Sequence, residues 1–201
     1  MKLLIATGNK GKVKEYERLL DSFTGELINL AGYMDLDAPE ETGITFQENS
    51  LLKARYYATA TGNFAFADDS GLEVEALGGA PGVLSARYAG FESTDQSNRL
   101  KLLNELRELP DSSRSARFAC SLSFSDPTGN LLFEATEFCK GRIINEERGT
   151  GGFGYDSIFV PEGETKTFAE LPPERKAELS HRAKAARKFN LFLCEKSPLF
   201  T

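Results

Sequence analysis

Hydrophobic positions along the chain follow two spacings, and each spacing predicts one type of secondary structure. Short apolar runs and segments in which apolar and polar residues alternate are typical of strands. Apolar residues three and four positions apart are typical of helices with one buried face. On this basis we expect strands at residues 3–6, 64–68, 72–77, 116–125 and 131–139, and helices at residues 11–20, 45–61, 94–109, from 173 through Lys176, and from Ser180 to 195.

Signals within two of the helical segments refine these assignments. Thr45 and Glu48 have the spacing of a capping box, which places the start of the second helix. In the third helix, the spacing of Leu100, Leu103 and Leu106 predicts that these side chains face the core.

The order of the elements predicts an α/β fold. Strands alternate with helices, and one β-hairpin is inserted around residues 126–130, so we expect a mixed, elongated sheet with flanking helices. The chain is long enough for one domain, which we place at residues 1–201. A helix-ending segment at 110–113 marks an inner boundary near residue 110 between two lobes, and we expect a ligand in the cleft between them.

Composition narrows the class of protein. The 201 residues carry a net charge of −6, which argues against nucleic-acid binding because a duplex partner requires a basic face. Three widely spaced cysteines without a Cys-x-x-Cys motif favour a reducing compartment. No apolar run approaches the roughly 18 residues of a membrane helix. We therefore expect a cytoplasmic enzyme or binding protein without a membrane segment.

Two adjacent carboxylates, Asp68 and Asp69, directly follow an apolar strand and precede Gly71. Like charges held this close are unfavourable unless a cation or a shared proton relieves them, and a divalent metal is the simplest relief. Mg²⁺ prefers one or two carboxylates together with phosphate oxygens and water. Glu40 or Glu41 is a candidate second ligand, although a Glu-Glu pair in a loop is more commonly only surface charge.

Residues 7–12 join the first strand to the first helix with small residues, a helix N-terminus and Lys12. These features favour a phosphate, but the segment is not a Walker motif, and an ordinary glycine turn with a solvated lysine has the same composition. Lys53 shares a helix face with Asn49 and is a candidate second phosphate-binding cation, with a solvated helix face as the alternative.

Candidate residues for binding a nucleobase lie in the last third of the chain. His181 is the single histidine and stands beside Arg182 at a helix start, where both side chains can donate hydrogen bonds. Phe153 and Tyr155 offer flat faces for a nucleobase. The alternative readings are a satisfied helix terminus for His181 and buried core positions for the two aromatic residues.

The chain resembles one known family in a series of motifs between residue 3 and about residue 190. The motifs are Thr7-Gly8-Asn9-x-x-Lys12, Glu40-Glu41-Thr42-Gly43, Phe46-x-Glu48-Asn49, Leu52-Lys53-Ala54, Ala67-Asp68-Asp69-Ser70-Gly71-Leu72, Gly79-Ala80-Pro81-Gly82, Ser85-Ala86-Arg87-Tyr88, Gly151-Gly152-Phe153-Gly154-Tyr155-Asp156 and Ser180-His181-Arg182. In these motifs it resembles the inosine triphosphate pyrophosphatase family, which hydrolyses non-canonical purine nucleotides.

The resemblance implies a Mg²⁺-dependent homodimer that converts ITP, dITP or XTP to the monophosphate and pyrophosphate. It implies that Asp69 is the general base, that Asp68 supports it, and that Glu41 and Asp69 bind Mg²⁺. It further implies that Thr7, Gly8, Asn9, Lys10, Gly11 and Lys12 cradle phosphates, that Lys53 and Ser70 contact the phosphate region, and that Phe153, Gly154, Tyr155, Asp156, Lys176, His181 and Arg182 hold the base.

Two other functions compete with this interpretation. The first is a Maf-like pyrophosphatase for pyrimidine or modified nucleotides, against which the motifs at 153–156 and 180–182 argue. The second is a nucleotide sensor that binds in the same cleft without turnover. Every expected acid and lysine is present, which favours an enzyme.

Overall fold

The computed structural model describes residues 2–196, apart from the side chain of Ser112. The strands are β1 (Lys2–Ile5), β2 (Glu26–Asn29), β3 (Phe64–Val74), β4 (Ser115–Ser125), β5 (Leu131–Ile143) and β6 (Phe159–Pro161). The α-helices are α1 (Lys10–Leu19), α2 (Phe46–Thr61), α3 (Asp95–Glu105), α4 (Pro173–Leu179) and α5 (His181–Lys196). Short 3-10 helices occupy Leu30–Gly32, Glu75–Leu77, Gly82–Arg87 and Asp111–Ser113.

The strands within the described residues form one six-stranded sheet in the order β2-β1-β3-β4-β5-β6. β1 pairs in parallel with both β2 and β3, whereas β5 and β6 are antiparallel. β4 and β5 are neighbours joined by the turn at residues 126–130, as the hairpin prediction requires. The predicted α/β fold with a mixed sheet and flanking helices is therefore confirmed.

The chain separates into two compact units. Among the described residues, the first unit contains 2–69, 120–137 and 182–196, and the second contains 70–119 and 138–181. Residues on both sides of position 110 belong to the second unit. The assignment of one domain with an inner boundary near residue 110 stays a prediction.

In the first unit, alternate side chains of β3 enter two different clusters. Phe66 packs with Tyr16 of α1 and Phe189 of α5. Ala65 and Ala67 pack against the cluster that contains residues of α2. Because neighbouring side chains of a strand point to opposite faces of its sheet, residues 68 and 69 are directed to these two different sides.

The second unit has its own core, formed by strands, α3 and the segments around α4. Phe159 lies at its centre, with its ring centroid 4.7 Å from that of Phe118 and 5.3 Å from that of Phe168. Leu102 of α3 and Leu106, which directly follows this helix, are fully buried in this core. The prediction that Leu100 faces inward is wrong, because 51% of this residue is exposed and Leu102 takes the buried position.

The ends of α2 follow the sequence signals. Thr45 accepts the backbone N–H of Glu48, and the Glu48 carboxylate accepts the backbone N–H of Thr45, so the predicted capping box is present. Gly62 ends the helix with a φ of 65°, a conformation that favours glycine. Within residues 2–196, no helix has the length and apolar character needed to cross a membrane.

One strand prediction requires correction. The sequence suggested two strands separated at Ser70-Gly71, but β3 continues without a break from Phe64 to Val74. Gly71 does not adopt a positive φ, and the N–H of Leu72 donates to the Ser85 hydroxyl at 2.9 Å. Glycine here provides room for a close neighbour and does not end the strand.

Candidate functional site

The parallel pairing of β1 with the first residues of β3 places the end of β1 beside Phe66, an interior residue of β3. The backbone N–H of Ala6, directly after β1, donates to the carbonyl oxygen of Phe66 at 2.8 Å. The turn 7–12 follows Ala6, and Asp68 and Asp69 follow Phe66. The structure therefore brings the candidate phosphate-binding turn and the paired carboxylates together in the first unit.

Asp68 is the acidic centre of a buried ion network. Its Oδ2 lies 3.1 Å from Nζ of Lys12 and 3.3 Å from Nη2 of Arg182. Nη1 of Arg182 lies 2.5 Å from Oε2 of Glu15. The side chain of Asp68 has no exposed surface and that of Arg182 is 3% exposed. Two cations and two carboxylates thus neutralise one another away from solvent, as buried charges require.

Arg182 is held by carboxylates of the first unit in this structure. Burial lowers the pKa of Arg182, but the carboxylates of Asp68 and Glu15 outweigh burial and raise the pKa above its ordinary value. The guanidinium therefore stays charged and stabilises Asp68 as a carboxylate. The role of Arg182 in holding a base stays a prediction, and the sequence did not indicate its partner Glu15.

Asp69 faces the other side of β3, towards α2. Its Oδ1 lies 3.1 Å from Nζ of Lys53, which also contacts Oε1 of Glu41 at 2.6 Å. Burial raises the pKa of Asp69, and the ammonium groups of Lys53 and Lys12 offset part of that rise. Burial lowers the pKa of Lys53, but Asp69 and Glu41 outweigh it and raise the pKa above its ordinary value. Lys53 is therefore a charged group shared by two carboxylates.

The same two carboxylates are a chemically suitable pair of Mg²⁺ ligands. Oxygen atoms of Glu41 and Asp69 already converge on one cation, the Lys53 ammonium. Glu40, the alternative ligand, is exposed, whereas the side chain of Glu41 is 27% exposed. Among the described residues, no group of three or more His, Cys, Asp or Glu side chains is arranged around a common metal position. Two carboxylates completed by phosphate oxygens and water match the ordinary coordination of Mg²⁺.

Asn9 organises the turn between β1 and α1. As the N-cap residue of α1, its Oδ1 accepts the N–H groups of Gly11 and Lys12 at 2.8 and 3.1 Å. Thr7 Oγ1 accepts the N–H of Asn9 at 3.2 Å. Gly8 and Lys10 are exposed. The turn thus has the helix N-terminus expected from the sequence, with two of its donors directed to Asn9.

Asp156 fixes the candidate base-binding segment in the second unit. Its Oδ2 accepts the N–H of Phe153 at 2.9 Å and lies 2.7 Å from Nζ of Lys176. Nζ of Lys176 is 5.2 Å from the centroid of the Phe153 ring, a distance compatible with a cation–π contact. Asp156 and Lys176 are both buried. The structure therefore brings three of the predicted base-binding residues into contact.

The other predicted residues of this unit have different surroundings. His181 is buried and stacks on Phe118, with 4.8 Å between ring centroids and 7° between ring planes. Tyr155 is 4% exposed, and its hydroxyl donates to the carbonyl oxygen of Ser85 at 2.8 Å. Ser70 follows Asp69 on β3 and is half-buried. Phe153 keeps more of its surface exposed than Tyr155 and is the more accessible aromatic face.

Asn49 is a site residue to which the sequence assigned no role. Its Nδ2 donates to Oδ2 of Asp69 at 3.3 Å and to the carbonyl oxygen of Gly43 at 3.2 Å. Its Oδ1 accepts the N–H of Gly43 at 2.8 Å. The position of Asn49 four residues before Lys53 was the available signal, because such residues share a helix face.

In this mixed α/β sheet, a glycine-containing turn, paired carboxylates and two lysines meet where the parallel pairing of β1 and β3 ends. This is the architecture of a phosphate- or nucleotide-binding protein. Residues 3–192 match the sequence profile of the Ham1 family, and the chain belongs to this family.

Individual relatives support the assignment. A dITP/XTP pyrophosphatase from Haemophilus ducreyi is 49% identical over 188 residues, which cover 92% of this chain and 94% of the relative. A dITP/XTP pyrophosphatase from Haemophilus influenzae is 50% identical over 185 residues, with the same coverage of 92% and 94%. The solved structure of a HAM1 protein from Coxiella burnetii is 38% identical, with a TM-score of 0.87 and coverage of 97% of this chain and 99% of that chain. The resemblance to a nucleoside triphosphate pyrophosphatase family is confirmed.

Proposed function

We propose that this chain hydrolyses the non-canonical purine nucleotides dITP, XTP and ITP to the nucleoside monophosphate and pyrophosphate. The dITP/XTP pyrophosphatases from two Haemophilus species, each about half identical to this chain, support the substrate class. The observation that carries the proposal is the Lys53 ammonium held between the carboxylates of Glu41 and Asp69. In this arrangement, a lysine that can bind phosphate contacts both carboxylates proposed to bind the metal.

Mg²⁺ belongs to this proposal, with Glu41 and Asp69 as its protein ligands. When bound, the metal neutralises phosphate charge and makes a nearby water more acidic. A triphosphate brings several negative charges, and Lys12, Lys53 and the N-terminus of α1 oppose them. Both lysines now contact carboxylates, so phosphate oxygens would take over part of these contacts on binding.

Asp69 acts as the general base in this mechanism. It accepts a proton from the water that attacks the α-phosphorus, and pyrophosphate leaves. A positioned base typically contributes roughly 10²–10⁴-fold to the rate. Asn49 and Lys53 hold its two carboxylate oxygens, at 3.3 and 3.1 Å, and thereby orient it towards the attacking water. Asp68 keeps Lys12 and Arg182 in place from the other side of the strand.

Recognition of the base follows from hydrogen-bond donors facing the purine C6 position. Hypoxanthine and xanthine carry an oxygen acceptor at this position, whereas adenine carries an NH₂ donor. Donors from Lys176, His181 and Arg182 would pair with the oxygen and leave adenine with donors facing donors. A buried donor without an acceptor costs about 1–3 kcal/mol, which disfavours ATP. Guanine shares the C6 oxygen, so GTP must be excluded through its 2-amino group.

A homodimer and a cytoplasmic location complete the proposal. The homodimer comes from the family resemblance, and the location comes from the reducing environment that the three widely spaced cysteines favour. Size-exclusion chromatography with light scattering tests the dimer, because a monomeric mass at micromolar concentration contradicts it.

The activity is tested by following product release from ITP, dITP, XTP, GTP, ATP and dTTP, with Mg²⁺ and with excess EDTA. The assay separates pyrophosphate from orthophosphate. We expect pyrophosphate from dITP, ITP and XTP, little from ATP and GTP, and none with EDTA. Preference for dTTP would replace the proposal with a Maf-like pyrophosphatase. Nucleotide binding without turnover would replace it with a sensor.

A further inference from the structure

Helix α3 holds the backbone of Gly154 at both of its polar atoms. Oδ2 of Asp95 accepts the N–H of Gly154 at 2.7 Å, and Nη1 of Arg99 donates to the carbonyl oxygen of Gly154 at 2.8 Å. Asp95 and Arg99 are four residues apart and therefore lie on one face of the helix. Two charged side chains thus fix a single residue of the segment between β5 and β6.

Arg99 also binds the beginning of the same segment. Its Nε lies 2.9 Å from Oε2 of Glu147, and the same oxygen accepts the hydroxyl of Ser157 at 3.1 Å. The Arg99 side chain is only 16% exposed, so its guanidinium is shielded from competing water. The two contacts of Arg99 connect residue 147 to residue 154 and limit how far the loop between them can open.

The orientation of Gly154 determines the orientation of its neighbour Phe153. Gly154 has a φ of 59°, which reverses the direction of the chain immediately after Phe153. The Phe153 N–H is held by Asp156, and the Phe153 ring lies beside Lys176. A rotation of the peptide at Gly154 would therefore displace the aromatic ring from the lysine.

We propose that Asp95 and Arg99 are positioning residues that determine how well the enzyme distinguishes purine bases. This inference rests on the proposed function, in which 153–156 and Lys176 hold the base. The two side chains act through Gly154, by keeping the Phe153 ring beside Lys176 in the orientation that meets the base. Their loss lowers discrimination between dITP and dATP, which differ at C6, and leaves recognition of the phosphates unchanged.

The experiment compares Asp95→Ala and Arg99→Ala with the wild type. KM and kcat are measured for dITP and dATP, and inorganic tripolyphosphate, which has phosphates but no base or sugar, is used as a competitive inhibitor. We expect KM for dITP to rise about tenfold, as the loss of a charge-assisted hydrogen bond predicts. We expect kcat for dITP and the inhibition constant of tripolyphosphate to stay within about twofold, and the preference for dITP over dATP to fall.

Two controls separate positioning from stability. Arg107→Ala removes an exposed arginine just beyond α3, whose side chain donates to the neighbouring Asn104, and should leave every constant unchanged. Asp95→Asn keeps an oxygen that can accept the Gly154 N–H and should restore most of the selectivity. Because Asp95 is exposed, Asp95→Ala is compatible with folding even if Arg99→Ala unfolds the protein.

The outcomes are distinguishable. Weaker inhibition by tripolyphosphate in step with a higher KM for dITP would overturn the inference, because the variants would then have loosened the whole site. An unchanged ratio of kcat/KM values for dITP and dATP in Asp95→Ala would also overturn it. Absence of dITP turnover in the wild type would instead overturn the proposed function.

Discussion

Asn49 donates its side-chain amide to the carboxylate of Asp69, with 3.3 Å between Nδ2 and Oδ2. The same amide group bonds both backbone polar atoms of Gly43, two residues after Glu41. Asn49 is 1% exposed, so these bonds are made away from competing water. One buried side chain therefore connects the proposed general base to the segment that carries the second proposed metal ligand.

Asn49→Ala is expected to lower kcat for dITP by about tenfold or more, because a base displaced by a fraction of an ångström no longer aligns with the attacking water. KM should change less. The matched control is Asn63→Ala just after the other end of α2, where Nδ2 contacts Tyr33 and the carbonyl oxygen of Thr61. Steady-state measurements of kcat and KM for both folded variants provide the test. Equal kcat values for Asn49→Ala and the wild type would remove Asn49 from the site.

Asp69→Asn is expected to abolish turnover, with a loss of roughly 10²–10⁴-fold or more, because an amide cannot take a proton from water. The substitution preserves shape, so the protein should remain folded and should still bind dITP in equilibrium titrations with Ca²⁺ or Mg²⁺. Asp37→Asn, at an exposed aspartate, serves as the control. Substantial activity in Asp69→Asn would assign the base role to another group.

Arg182→Ala is expected to destabilise the fold by about 3–5 kcal/mol, because it leaves the carboxylates of Asp68 and Glu15 without their buried cation. Urea denaturation at neutral pH measures the change in free energy of unfolding. Lys188→Ala removes an exposed lysine from the same helix, which pairs with the partly exposed Glu137, and should cost less than about 1 kcal/mol. A loss below about 1 kcal/mol for Arg182→Ala would show that the network contributes little.

The same variant tests the role in base recognition. If Arg182 also reads the base, KM should rise more for ITP than for GTP in the folded fraction of Arg182→Ala. Equal increases in KM for ITP and GTP would show that Arg182 acts only in the ion network around Asp68.

Gly71→Ala is expected to lower the free energy of unfolding by about 1–3 kcal/mol through overpacking. A Cβ at this position would collide with the hydroxyl of Ser85 and lie 2.5 Å from the carbonyl oxygen of Gly82. The control is Gly32→Ala, where a Cβ would meet no atom within 4 Å. Thermal and urea unfolding of the two variants give the comparison, and equal stability would contradict the tight contact.

The three cysteines should differ in thiol reactivity according to their exposure to solvent. Cys120 and Cys139 are buried, whereas Cys194 is exposed. Burial raises the pKa of Cys120 to about 12, so this thiol carries almost no thiolate at neutral pH. In the native protein, Ellman's reagent should titrate one thiol rapidly, and denaturation should release all three. Rapid reaction of two thiols without denaturant would contradict the burial of Cys120 or Cys139.

Sequence patterns predicted the elements that depend on local signals. The capping box of Thr45 and Glu48 placed the start of α2, and the apolar run before Asp68 placed β3. The same reasoning broke β3 at Gly71, because the close approach of Ser85, 14 positions along the chain, leaves no local signal.

Contacts between distant segments could not be predicted from the sequence. The pairing of Arg182 with Asp68 spans 114 positions, and that of Gly154 with Asp95 spans 59. Residue type alone marked Arg182 as a donor near a base, but only the fold determines which acceptor it meets. Sequence patterns therefore identified the candidate residues more reliably than they identified the residues that contact them.

The alternation of Asp68 and Asp69 on β3 also bears on how the strand finds its pairing. A slip of one residue against β1 would exchange the two faces, directing Asp68 towards α2 and Asp69 towards α1 and α5. Each carboxylate would leave its own cations, and a buried carboxylate without a partner is strongly destabilising. The two adjacent carboxylates of β3, one of which is the proposed general base, thus also disfavour misregistered sheets during folding.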